Sequence, residues 1–66
     1  MKLIINGESM ETGNVLTVQD LLNEMRIEPS RIAVEVNMSI IKKTEYTVFM
    51  LNDGDKIEIV NFVGGG

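Results

Sequence analysis

Leu16-Thr17-Val18-Gln19-Asp20-Leu21-Leu22-Asn23-Glu24-Met25-Arg26 is the stretch whose reading decides the fold. Val18, Leu21, Leu22 and Met25 recur at i, i+3, i+4 and i+7, so a helix here has one apolar face. Thr17 is placed to cap the free amides, and Asp20 three residues on gives a near match to a capping box. Leu16 before the cap and Leu21 at the fourth helical position have the spacing of a hydrophobic staple. Arg26 falls in the last turn, where a cation suits the helix dipole. Pro29 ends the helix at or before Glu28, because the residue before a proline is pushed out of the helical region.

Strand signals flank this helix on both sides. Upstream, the apolar run Leu3-Ile4-Ile5 meets Asn6-Gly7, a pair suited to a type I′ turn with positive φ at both central residues. The return strand runs from Glu8 to about Thr12, and Gly13-Asn14 breaks the pattern. Downstream, Ile32 to Asn37 alternates, with Ile32, Val34 and Val36 on one face and Ala33, Glu35 and Asn37 on the other. After a turn at Asn37-Met38-Ser39, Ile40-Ile41 reads as a short strand, and Thr44 to Tyr46 as a short helical turn. Asn52-Asp53-Gly54-Asp55 is a turn with Gly54 supplying positive φ, and Ile57 to Phe62 is the final strand.

One helix cannot cover both faces of a sheet. The expected architecture is therefore α+β: a mixed sheet of four to five strands with the helix packed on one side. The expected core is Leu3, Ile5, Val18, Leu21, Leu22, Met25, Ile32, Val34, Val36, Leu51, Ile57 and Ile59, with the five methionines read as core filler.

Composition narrows the function. Sixty-six residues make at most one domain with a small core, which favours a module acted upon over an enzyme with a shaped pocket. The chain has no cysteine and no histidine. That removes disulfides, thiolate metal sites, the commonest general base and Ser-His or Cys-His catalysis. The net charge is −4 and only Lys42-Lys43 are adjacent cations, so nucleic acid is not an expected partner. Lys42-Lys43 itself reads as a solvated turn. No apolar stretch is long enough to span a membrane and Met1-Lys2-Leu3 does not open a signal peptide, which makes cytoplasmic the default. Asn52 to Asp55 lacks the remaining ligands of a calcium loop, and no metal site is expected. Asp20 and Glu24 read as a solvated helix face.

The tail Gly64-Gly65-Gly66 follows Phe62-Val63. Glycine has no Cβ, so such a tail can thread a channel too narrow for other residues. The expectation is that the terminal carboxylate is the functional group. If Ile57 and Ile59 face the helix, then Glu58, Val60 and Phe62 face outward with Ile4, forming an apolar docking patch beside the tail.

These pieces together resemble the sulfur-carrier family of thiamine biosynthesis (ThiS-like), a ubiquitin-like β-grasp family. The resemblance is carried by Asn6-Gly7, Leu16 to Leu22, Ile32 to Asn37, Asn52 to Val60 and Phe62-Val63-Gly64-Gly65-Gly66, and covers essentially the whole chain. It implies a β-grasp domain over residues 1–63 with a flexible glycine tail at 64–66. It implies no catalytic residue of the chain's own and no bound cofactor. A ubiquitin-activating-type adenylyltransferase would use ATP to adenylate Gly66, with Gly65 the second glycine of the pair. Sulfur from a donor such as a cysteine desulfurase would convert the adenylate to a thiocarboxylate, and thiazole synthase would receive it. Gly64, Val63, Phe62, Val60 and Ile4 would guide docking. Two neighbours share the fold: sulfur carriers for molybdopterin synthesis and for tRNA thiolation. A non-covalent β-grasp interaction module is the alternative of another class.

Overall fold

The computed structural model describes residues 1–62. The expectations placed on Val63, Gly64, Gly65 and Gly66 lie outside the described residues.

The first two strands, β1 (Lys2–Ile5) and β2 (Glu8–Glu11), pair antiparallel with Ile5 opposite Glu8. Asn6 and Gly7 have φ of 49° and 84°, the paired positive values of a type I′ reversal. The helix α1 (Val18–Met25) starts at Thr17 as expected. The Asp20 amide donates to Thr17 Oγ1 at 3.1 Å, and the Asp20 carboxylate accepts from the amides of Thr17 and Leu16, each at 3.0 Å. Strands β3 (Ile32–Val36) and β4 (Ser39–Ile41) form a second antiparallel hairpin, and β5 (Lys56–Asn61) closes the sheet.

The strand order is β2-β1-β5-β3-β4. β5 runs parallel to β1 and antiparallel to β3, which makes the sheet mixed. Alternation then puts Leu3, Ile5, Ile32, Val34, Val36 and Ile57 on one buried side, against Val18, Leu21 and Leu22 of α1. This is the ubiquitin-like β-grasp arrangement, five strands and one helix. No helix of the described residues is long and apolar enough to cross a membrane.

Several details depart from the sequence expectation. Met25 and Ile59 are only partly buried, while Val15, Ile41 and Tyr46 join the core. No methionine fills the core: Met1 and Met25 lean against it, and Met10, Met38 and Met50 are exposed. Leu16 stays 56% exposed, so it does not close a staple over Leu21. Arg26 lies beyond the last helical turn. It takes φ 58° and closes the helix, with its amide bonding the Asn23 carbonyl and the Ile27 amide reaching Leu22, the paired bonds of a Schellman ending. The helix thus stops before Pro29, which begins a separate 3-10 turn, Pro29–Arg31. The second hairpin turn is two residues, Asn37 and Met38, with Ser39 already in β4. The short turn after β4 is a 3-10 turn, Lys43–Glu45, which delivers Tyr46 inward.

Candidate functional site

β5 leads towards residue 63, and its alternation separates two faces. Ile57 is buried on the helix side, while Glu58 and Val60 face the open side of the sheet, Val60 being 52% exposed. Register completes that open face: Ala33 lies opposite Val60, Glu35 opposite Glu58, and Ile4 opposite Lys56. Ile4 is half-buried. Ile4 and Val60 therefore share the face, as expected, but not one spot. They are separated by four residues along β5, about 13 Å at ~3.3 Å per residue, with Glu58 between them. The apolar surface beside the tail root is Val60 with Ala33 and the neighbouring Phe62.

Phe62 is fixed by more than alternation. Its amide donates to the Arg31 carbonyl at 2.9 Å, extending the β3–β5 ladder by one bond. Its ring is 57% exposed and lies 5.2 Å from Lys43 Nζ, measured to the centroid. The same ammonium lies 5.8 Å from the Tyr46 ring and donates to the Ile32 carbonyl at 2.6 Å. Register explains this bond. Val34 pairs with Ile41, so two residues further Lys43 comes level with Ile32, just where β4 has ended. The ammonium supplies the bond that a longer β4 would have made. Lys43 is exposed in its turn, as read, but its ammonium also has a partner from another strand, which nothing in its sequence neighbourhood signals.

The other candidate groups are structural. Asp55 is buried; its carboxylate accepts from the Asn52 amide at 2.8 Å and from Asn37 Nδ2 at 3.0 Å. Asn37 Oδ1 in turn accepts from the Lys56 amide at 3.0 Å. Asp53 accepts from the Lys2 amide at 2.6 Å, so the turn at 52–55 ties β5 to both neighbouring strands. Among the described residues no group of three or more His, Cys, Asp or Glu is placed to hold a metal. Asp20 is a cap, and the amides of Leu16 and Thr17 hold its carboxyl below the usual carboxylate range. Burial pushes the Tyr46 phenol up. An open cavity of about 310 Å³ lies between the first hairpin and the end of α1, lined by Ile5, Asn6, Glu8, Ser9, Met10 and Met25. Its lining offers one carboxylate and one hydroxyl, which suits a surface depression more than a reaction centre.

Comparison with known proteins follows the same line. The model of the ThiS family matches residues 3–66. A sulfur carrier protein ThiS of Bacillus subtilis is 44% identical over 68 residues, covering 97% of this chain and 98% of that one. A thiazole synthase of Paramagnetospirillum magneticum is 47% identical over the whole of this chain. The chain spans only about a fifth of that protein, 20% of its length, and the same share of a second thiazole synthase, from Magnetococcus marinus. The crystal structure of a thiamine biosynthesis protein (ThiS) from Geobacter metallireducens superposes with a TM-score of 0.86 at 28% identity, covering all of both chains.

Proposed function

The chain belongs to the ThiS family, and we propose that it is a sulfur carrier of thiamine biosynthesis whose working group is the carboxylate of Gly66. Residues 1–63 form the β-grasp domain that partners recognise, and residues 64–66 are the tail they act on. A carboxylate oxygen of Gly66 attacks the α-phosphorus of ATP on an adenylyltransferase of the ubiquitin-activating type, releasing pyrophosphate. A carboxylate is a poor electrophile until it carries such a leaving group. The terminal sulfur of a persulfide formed by a donor such as a cysteine desulfurase then attacks the carbonyl and displaces AMP, and a thiol reduces the resulting acyl disulfide, which leaves the thiocarboxylate and a disulfide. Thiazole synthase consumes that sulfur. The carrier is a protein co-substrate and not an enzyme; ATP is used by the activating partner, and the setting is the cytoplasm.

One observation carries this reading: the family match runs on through the glycines to residue 66. Composition supports it, because a chain without cysteine has no side-chain thiol on which to hold transferable sulfur. Two thiazole synthases hold a stretch similar to this whole chain within their own length, which supports thiazole synthase as the acceptor over molybdopterin synthesis or tRNA thiolation. Val60 and Phe62, with Val63 and Gly64, guide docking at the tail root. Ile4 contributes from the far part of the same face.

The intact mass of the protein isolated from its own cells tests the proposal. A fraction heavier by the exchange of one oxygen for sulfur, and absent when Gly66 is deleted, is expected. A plain carboxylate alone, even with ATP, activating enzyme and sulfur donor supplied, would leave the non-covalent binding module as the better account.

A further inference from the structure

We propose that Lys43 is a positioning residue for the tail, acting through Phe62; this rests on the carrier function proposed above. Phe62 is the last described residue, and only four residues separate it from the Gly66 carboxylate. Four residues reach at most about 14 Å, so the direction of the chain at Phe62 governs which volume the terminus samples. Two contacts set that direction. One is the backbone bond from Phe62 to Arg31, and the other is the ring of Phe62 against the Lys43 ammonium at 5.2 Å.

The ammonium is itself held. It donates to the Ile32 carbonyl at 2.6 Å and lies 5.8 Å from the ring of Tyr46, a core residue. Lys43 therefore links an exposed aromatic at the tail root to the rigid sheet. A cation over an aromatic face is attracted to the ring quadrupole. Part of the ordering that an activating enzyme would otherwise impose at Phe62 is already done in the free carrier. Loss of the contact spreads the root over more directions, which weakens productive capture without touching the reacting atoms. The effect belongs in KM, and it corresponds to about a two- to fivefold rise for a contact at a half-exposed ring.

The test is ATP–pyrophosphate exchange by the activating enzyme with the carrier as varied substrate, alongside the thermal midpoint of each carrier. Lys43→Met is expected to raise KM about two- to fivefold with kcat unchanged, and Lys43→Arg to restore KM. Phe62→Leu, which keeps the backbone bond and leaves the Ile32 contact alone, is expected to raise KM similarly. The double variant should be no worse than the poorer single one. If Lys43→Met proves too unstable to assay, Lys43→Gln, which keeps a donor for the Ile32 carbonyl and loses the charge over the ring, takes its place with the same expected rise in KM, and an unaltered KM would overturn the role. A Lys43→Met protein with a lower midpoint but unaltered KM, or single effects that multiply in the double variant, would overturn the positioning role while leaving the carrier function standing. A wild-type chain that supports no exchange would overturn the carrier function itself, and the role of Lys43 with it.

Discussion

The molecule reverses its chain twice with the same geometry and two different sequences. Asn6-Gly7 joins β1 to β2 with φ of 49° and 84°; Asn37-Met38 joins β3 to β4 with φ of 51° and 71°. Glycine enters the left-handed region freely, whereas a residue with a Cβ is disfavoured there by roughly 1–2 kcal/mol. Met38 gains nothing visible in return, since its side chain is 91% exposed. Both turns are anchored on β5 by their asparagines. Asn6 donates its amide to Ile57 and accepts from the Ile59 amide; Asn37 donates to Lys56, accepts from the Lys56 amide and also reaches Asp55. Both turns are thus held from outside, but the first also has the glycine its geometry favours, whereas the second does without it and adds a bond to the buried Asp55 carboxylate. A turn that lacks the right local residue can still form when the side chain beside it is tied to a buried partner.

The contrast can be broken most directly at the asparagines. Asn37→Ala leaves the Lys56 amide and the buried Asp55 carboxylate short of a partner, and should cost about 3 kcal/mol in urea unfolding. Asn6→Ala, which loses one side-chain bond, should cost about 2 kcal/mol. Equal losses would mean that the second turn depends on outside support no more than the first. Next comes Gly7→Ala. The space around a Cβ there is open, so the expected loss of about 1–2 kcal/mol is backbone conformation alone. A neutral result would show that the bonds of Asn6 to β5 suffice to hold the first turn without its glycine.

Met38→Gly sharpens the contrast from the other side. Relief of the left-handed strain, less the entropy of a new glycine, should raise stability by about 0.5–1 kcal/mol; a loss on denaturant titration would reveal a contact that exposure does not suggest. The smallest effect is a control outside the turns. Asparagines do not titrate, but Asp20 does, and its carboxyl is held low by the amides of Leu16 and Thr17. A depressed folded-state value means that its contribution is present above the ordinary carboxyl value of 3.8 and is lost as pH falls through the folded value. Asp20→Asn should flatten that acid limb, and thermal midpoints measured from pH 5 downward would show whether it does.

Local signals were legible and distant ones were not. Asn6-Gly7, the Thr17–Asp20 box and the alternation of Ile32 to Val36 each describe a structure made by neighbours in sequence, and each is found where the residues place it. Asn37-Met38 carries no glycine, so its exact two-residue length depended on bonds to Asp55 and Lys56, eighteen and nineteen residues away. Tyr46 was invisible as a core residue because an irregular segment has no periodicity to reveal its inward side. At the candidate site, alternation alone assigned Ile4 and Val60 to one face. Their separation follows from the register of β1 against β5, which no local pattern encodes. The Lys43 contacts likewise depend on β4 ending at Ile41, two residues short of the level of Ile32.

The place of β5 has a bearing on how such a chain comes into being. The last of the described strands to be synthesised lies in the middle of the sheet, between β1 and β3. Until it arrives there are only two separate hairpins and a helix with nothing continuous to rest on, and isolated hairpins are marginal in water. Closing the sheet joins opposite ends of the chain, the kind of distant pairing that slows folding. A nascent or truncated chain lacking β5 is therefore expected to stay unfolded, and any partner that recognises the finished sheet receives only chains in which β5 has joined it.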